Sequence, residues 1–313
     1  MKFMFDVIIP TYNSVPEFLK EAIDSVLNQT YQDFQIYICD GTPHDSPIQI
    51  EQTLAHYDDE RIHLLKQTGV GPSNARNEAV RVGNNPYVAL LDSDDVWVER
   101  KLEYVAWFIQ ENNPVMMWSA VKLRWTGDIT DYRTGFLEDW NTIALEHRWF
   151  RIYWLPLATS SIVFRRGELE KIGLWNENLF LGEDTELNVR MIKSYSESCF
   201  QINRYMGYYR KHENQTTLNE SHFNENLRNG LNPNDRPQLF KTTFEKLKQE
   251  STTSYPANYW LHLEKIVQEH RIASDNPNER DWENYILLRV DGTENGSKFK
   301  EHPLELGVGD FNV

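Results

Sequence analysis

The residues best able to do chemistry in this chain are carboxylates gathered at the ends of apolar runs. Leu90-Leu91-Asp92-Ser93-Asp94-Asp95 places three carboxylates within four positions. Like charges crowded in this way repel unless a cation or hydrogen-bond donors offset them. A hard divalent ion such as Mg²⁺ or Mn²⁺ does so, because it favours oxygen ligands and shares its shell with substrate phosphates. The plainer alternative is an acidic helix start, in which Asp94 and Asp95 favour the dipole of a helix beginning near Val98. Glu183 and Asp184 form a second acidic pair at the head of an amphipathic stretch, where the same alternative applies. Asp40 closes another apolar run, and His212 follows Arg210 by two positions. Gly69-Val70-Gly71 lacks the third glycine of a dinucleotide fingerprint and turns into Pro72-Ser73, which discounts that ligand.

The elements that must hold these residues alternate. Phe5–Pro10, Phe34–Cys39, Ile62–Leu65 and Tyr87–Leu91 read as buried strands. Between them, Phe18, Leu19, Ala22, Ile23, Val26 and Leu27 share one helical face, and 74–82 reads as a further helix. Strand and helix in alternation predict a parallel sheet flanked by helices. Ligands of such sheets sit off the carboxyl ends of the strands. Thr11 and Tyr12, Asp40, and the Asp92–Asp95 run all fall there, so three loops should converge on one crevice. Farther on, 115–123 reads as a strand, 124–154 as loops and short helices, and 160–165 as a strand. Residues 168–172 and 184–194 read as helices, and 205–212 as a last strand. Five tryptophans, Trp118, Trp125, Trp140, Trp149 and Trp154, crowd the middle segment, where stacking on sugar rings and ordinary packing are both open.

Length and composition narrow the class. The 313 residues are 40% hydrophobic, enough for one sizeable core with a smaller appendage. Cys39 and Cys199 are the only cysteines, which disfavours a disulfide framework and a zinc site and points to a reducing compartment. The formal charge of −15 disfavours tracking along nucleic acid. Neither a signal peptide nor a membrane-length apolar run is expected, so the expected location is cytoplasmic, with peripheral attachment to the inner face of a membrane left open.

Several ordered motifs then accumulate: 5–14 (FDVIIPTYNS), 25–34 (SVLNQTYQDF), 38–42 (ICDGT), 72–79 (PSNARNEA), 89–97 (ALLDSDDVW), 160–166 (SSIVFRR), 182–190 (GEDTELNVR) and 209–212 (YRKH). Together they resemble glycosyltransferase family 2 over about the first two-thirds of the chain. The resemblance implies an α/β GT-A fold: a mostly parallel central sheet flanked by helices, with a Rossmann-like nucleotide-binding half and an acceptor-binding half. It also implies inversion at the anomeric carbon, a nucleoside diphosphate sugar as donor with a UDP-sugar favoured, and Mn²⁺ or Mg²⁺.

Carried over by position, Tyr12 would stack on the nucleobase beside Thr11, and Asp40 would accept a hydrogen bond from the base ring. Cys39 stands where the family more often has a further acid. Arg76 would reach the base or the phosphates, Asp92 would contact the ribose with Ser93 beside it, and Asp94 with His212 would hold the metal. The role of Asp95 stays open. Asp184 would be the general base, since inversion needs a carboxylate opposite the leaving group, and Glu183 would orient the acceptor or Asp184.

The domain boundaries expected are a transferase domain over 1–215, a linker or surface loop over 216–238, and a helical extension over 239–313. The acceptor expected is a glycan or lipid-linked saccharide in surface-polysaccharide synthesis. A protein or hydroxylated DNA base as acceptor, or a catalytically silent nucleotide-sugar-binding protein, are the alternatives.

Overall fold

The computed structural model describes residues 4–125, 128–134, 140, 145, 148, 157–179 and 183–212. The expected linker and helical extension lie outside the described residues, as do Trp149, Trp154 and the side chain of Trp125.

In chain order the elements are β1 (Phe5–Thr11), α1 (Pro16–Leu27), β2 (Phe34–Asp40), α2 (Ile50–Leu54), β3 (Ile62–Lys66), α3 (Gly71–Val82), β4 (Tyr87–Leu90), β5 (Val96–Trp97) and α4 (Lys101–Asn112). There follow β6 (Met116–Trp125), β7 (Asp128–Thr134), a turn of 3-10 helix (Thr159–Ser161), β8 (Val163–Arg165), α5 (Arg166–Lys171), α6 (Glu183–Tyr195), a second 3-10 turn (Ser196–Ser198) and β9 (Cys199–Lys211).

One sheet runs β3-β2-β1-β4-β8-β6-β9-β5, with β7 paired to β6. The first four strands are parallel. Beyond β4 the sheet is mixed: β8 is antiparallel to both β4 and β6, β6 and β9 run parallel, and β5 is antiparallel to β9. The central strand β1 is buried on both faces, which is why it is apolar almost throughout. Ile8 points into the core shared with Val80 of α3, Trp118 and Leu187. Its neighbours Val7 and Ile9 point to the opposite core, with Ile23 of α1 and Leu102 of α4.

Register carries the site. Thr11 lies opposite Asp40 at the carboxyl ends of β1 and β2. The next residue but one, Asn13, takes a left-handed conformation at φ 48°, which a short amide side chain tolerates better than most. α3 opens on Gly71 at φ 86°, followed by Pro72 in the first turn, where a missing N–H costs nothing.

The structure departs from the sequence reading after β4. β5 intervenes before α4, so the helix begins at Lys101, well past Asp94 and Asp95, and neither acid caps it. β6 extends through Trp125 and pairs with β7, a hairpin where loops and short helices were expected. That segment mixes Asp, Arg and Thr with apolar residues and shows no clean alternation, and pairing with β6 imposes the strand. β9 begins at Cys199, six positions earlier than read, and residues 159–161 form a 3-10 turn before a strand of only three residues.

Candidate active site

The carboxyl ends of the strands carry carboxylate sites of different character. Asp40 is buried and saturated with donors. Its Oδ1 accepts from Thr11 Oγ1 at 3.0 Å and from the Thr42 backbone N–H at 3.0 Å. Its Oδ2 accepts from Lys66 Nζ at 2.9 Å, and the same ammonium donates to the Thr42 carbonyl at 2.8 Å. Burial by itself would raise the Asp40 pKa, but the hydrogen bonds from Thr42, Lys66 and Thr11 outweigh it and hold the carboxyl below its usual range. Tyr12 stands open beside it, 58% exposed, and its ring edge faces Gly41. Thr42 and Lys66 escaped the sequence reading. Thr42 lies inside the ICDGT motif, whereas Lys66 carries no local signal, since it reaches Asp40 only through the β2–β3 register.

The second site is built on Arg76. A helical arginine is solvated by default, yet this one is 4% exposed. Its Nη2 donates to Asp92 Oδ1 at 3.0 Å, and its Nη1 donates to Glu183 Oε1 at 3.0 Å and lies 3.2 Å from Asp184 Oδ1. One cation therefore serves three carboxylates. Its Nε is buried without a hydrogen-bond partner. Burial and the neighbouring carboxylates together raise the pKa of two of these acids. Burial pushes Glu183 up, the neighbouring Asp184 adds to this, and Arg76 opposes both. Asp92 is also raised, chiefly by burial, with Arg76 pulling it back and Asp94 and Asp184 pushing it up.

Asp184 receives two further donors. Thr159 Oγ1 bonds Oδ2 at 2.7 Å and Trp175 Nε1 bonds Oδ1 at 2.9 Å. Its side chain remains 20% exposed. On the other side of Asp92, Asp94 Oδ2 lies 2.9 Å from His212 Nε2, joining residues 118 positions apart. The His212 ring packs on Phe18, with centroids 5.1 Å apart. Ser93 Oγ bonds Ser14 Oγ at 2.7 Å, tying this loop to the one after β1.

Asp95, left open by the sequence, turns inward. It is 1% exposed and accepts from Ser160 Oγ and, at 2.9 Å, from the Arg210 backbone N–H. Arg210 Nε in turn donates to the Asp94 carbonyl at 2.7 Å. Asp95 thus clips the acidic loop to β9, two residues short of His212. Buried Lys101 sits 4.3 Å over the Trp97 ring and donates to the Ser160 carbonyl at 2.7 Å. Burial lowers its pKa to about 7 against the pull of Asp95.

Asp40 with Thr11 forms one group, and Asp92, Arg76, Glu183 and Asp184 form another. Asp94 with His212 is a third, joined to the second through the Asp92–Asp95 loop. Arg76, expected toward base or phosphate, has carboxylates as its partners. Of the tryptophans, Trp118 and Trp140 are core, packed edge to face at 4.6 Å. Both cysteines are buried and free, with burial first among the causes that push each thiol up to about 12. Among the described residues no helix is long and apolar enough to cross a membrane.

Residues 6–165, just over half of the chain, match the family described as Glycosyl transferase family 2. An uncharacterized glycosyltransferase of Rickettsia bellii is 30% identical over 181 residues, 57% of this chain and 25% of that protein. A UDP-Glc:alpha-D-GlcNAc-diphosphoundecaprenol beta-1,3-glucosyltransferase of Escherichia coli is 32% identical over 122 residues, 39% of this chain and 47% of that protein. The chain thus spans less than half the length of either relative. Among solved structures, S. aureus TarS 1–349 in complex with UDP-GlcNAc superposes with a TM-score of 0.57 at 21% identity, covering 71% of this chain and 64% of that one. That likeness supports the GT-A architecture. With the ordered motifs and the sheet they build, the match over 6–165 identifies the chain as a member of glycosyl transferase family 2.

Proposed function

We propose that this protein transfers a sugar, with inversion, from a nucleoside diphosphate sugar to an acceptor hydroxyl, with Asp184 as the base. The observation that carries this reading is the single linked array running from the Asp94–His212 contact through Asp92 and Arg76 to Asp184. A binding protein has no use for a partly open carboxylate at the far end of that array.

Asp40 would accept a hydrogen bond from the nucleobase, Tyr12 would stack on its face, and Thr11 would line the pocket. Asp92 and Ser93 would meet the ribose. A UDP-sugar is the favoured donor, since the E. coli relative is named for UDP-Glc and TarS was solved with UDP-GlcNAc. Among the described residues no three His, Cys, Asp or Glu side chains converge on a ready metal centre. The donor set fits instead a divalent ion shared with substrate, in which Asp94 and His212 supply two ligands and diphosphate oxygens supply others. Such an ion, Mn²⁺ or Mg²⁺, would neutralise charge on the departing diphosphate.

In the reaction the acceptor oxygen attacks the anomeric carbon and its proton passes to Asp184. The bond from that carbon to the β-phosphate oxygen breaks, its electron pair leaving on the diphosphate. Asp184 Oδ1 already carries Trp175 and Arg76, whereas Oδ2 carries Thr159 alone. Oδ2 therefore has the spare lone pair for the proton. The acceptor proposed is a hydroxyl of a glycan or lipid-linked saccharide, handled at the cytoplasmic face of a membrane.

Asp184→Asn tests the base. UDP release from UDP-glucose or UDP-GlcNAc with Mn²⁺ should fall about 10²- to 10⁴-fold, while either donor still raises the thermal midpoint of the variant. Near-normal turnover removes Asp184 from this role.

A further inference from the structure

Thr159 and Ser160 lie side by side in the 3-10 turn before β8, and each reaches a different side of the crevice. Thr159 Oγ1 donates to Asp184 Oδ2 at 2.7 Å. Ser160 is the hub of the opposite side. Its Oγ accepts from the Asp92 backbone N–H at 3.0 Å and donates to Asp95 Oδ2. Its carbonyl accepts from Trp97 Nε1 and from Lys101 Nζ, both at 2.7 Å. Ser160 is 3% exposed, so these bonds are shielded from competing water. The turn is anchored behind by β8, whose three residues pair with β4 and β6.

Two consecutive residues in a turn of fixed geometry hold their side chains at a fixed separation. The acidic loop and the acid at the head of α6 are 92 positions apart in sequence, and this turn spans them by direct hydrogen bonds, independently of the ionic link through Arg76. An ion pair tolerates sliding and rotation, whereas a hydroxyl bond to one carboxylate oxygen fixes which oxygen faces the crevice.

We propose that Thr159 is a positioning residue that orients the Asp184 carboxylate, while Ser160, by clasping the Asp92–Asp95 loop, sets the base at a fixed distance from the donor. This rests on the reading of Asp184 as the base. Thr159 need not touch either substrate. Its contribution is to hold Oδ2 in one orientation before the acceptor arrives, and a carboxylate misplaced by about an ångström can lose on the order of a hundredfold in rate.

The test uses Thr159→Val, which keeps the shape and removes the hydroxyl, and Thr159→Ser, which keeps the hydroxyl and removes the methyl. UDP release is followed with UDP-glucose and UDP-GlcNAc in the presence of Mn²⁺, water serving as acceptor where no other is supplied. Thr159→Val should lower kcat roughly ten- to a hundredfold, leave the KM for donor within about twofold, and keep the unfolding midpoint close to that of the parent. Thr159→Ser should recover most of kcat. In an Asp184→Asn background Thr159→Val should cost nothing further, because residues acting through one group are not additive.

A normal kcat in Thr159→Val with a collapsed kcat in Asp184→Asn overturns the positioning role and leaves the base reading standing. A loss that the serine variant does not recover, or that persists undiminished in the Asp184→Asn background, also overturns it. Normal turnover in Asp184→Asn overturns both.

Discussion

Asp40 ends β2 and Asp92 follows β4, parallel strands on either side of β1, yet the protein treats them oppositely. Asp40 receives three hydrogen-bond donors on its two oxygens and is held ionised. Asp92 shares the one guanidinium of Arg76 with Glu183 and Asp184, and both it and Glu183 are raised. The first pocket is electrostatically complete before any ligand arrives, as suits a fixed acceptor for a hydrogen bond. The second is short of positive charge. A site left in that state gains most when a cation and a proton-bearing acceptor enter it, so under the proposed function the contrast separates a recognising end of the site from a reacting one.

The most severe way to break the contrast is to remove the shared cation. Arg76→Met leaves three carboxylates without their counter-charge, two of them attached to α6, and should destabilise the fold by about 3–5 kcal/mol. The sign with pH follows from Glu183, whose folded pKa is raised. The unfolded chain ionises first on going up in pH, so stability is lost as pH rises from the ordinary glutamate value through the folded one. The variant should therefore be most stable in mild acid and weaken toward neutrality. Urea unfolding across that range reads it, and a variant whose stability is flat or rises with pH would refute the idea that Arg76 supplies the counter-charge these acids depend on.

A smaller effect is expected from the metal side. His212→Ala removes one of two proteinaceous ligands proposed for the ion and leaves Asp94 in place. Turnover at limiting Mn²⁺ should drop about 10- to 100-fold and recover in part at high Mn²⁺, and a chelator should abolish it in both proteins. Turnover unaffected by chelation would take the ion out of the reading and leave the Asp94–His212 contact as a structural pair.

The same contrast explains what the sequence could and could not reveal. The recognising end is written locally: each strand reads as an apolar run, the motif follows directly, and parallel register brings Thr11 beside Asp40. The pairing of Asp94 with His212 also followed the motif order. The reacting end is assembled from afar. Arg76 sits on a helix with seven buried positions, a face that includes Ser73, Asn74 and Asn77, so its inward direction has no apolar periodicity to announce it. Ser160 reads as the start of a strand and Thr159 falls just before it, because short polar residues ahead of Ile-Val-Phe carry no mark of a 3-10 turn. The hairpin of β6 and β7 was missed for a related reason, since a strand formed through pairing need not show alternation of its own.

The mildest test sharpens the recognising end. Asp40→Asn keeps the size and one acceptor oxygen but removes the charge that Lys66 faces, and the Lys66 side chain, 40% exposed, can turn to water. Donor affinity should weaken about tenfold and stability near neutral pH should fall by about 1–2 kcal/mol. The folded pKa of Asp40 is depressed, so its stabilisation is complete above the ordinary aspartate value of about 3.9 and is lost as pH falls through the folded pKa. The difference between parent and variant should hence be level from about pH 5 to 8 and shrink in stronger acid. This runs opposite to the trend expected of Arg76→Met, so the two titrations measured by the same urea method discriminate a saturated carboxylate from a starved one. A parent-to-variant gap that widens in acid would mean that Asp40 is not held ionised by its donors, and the distinction between the two ends of the crevice would fall with it.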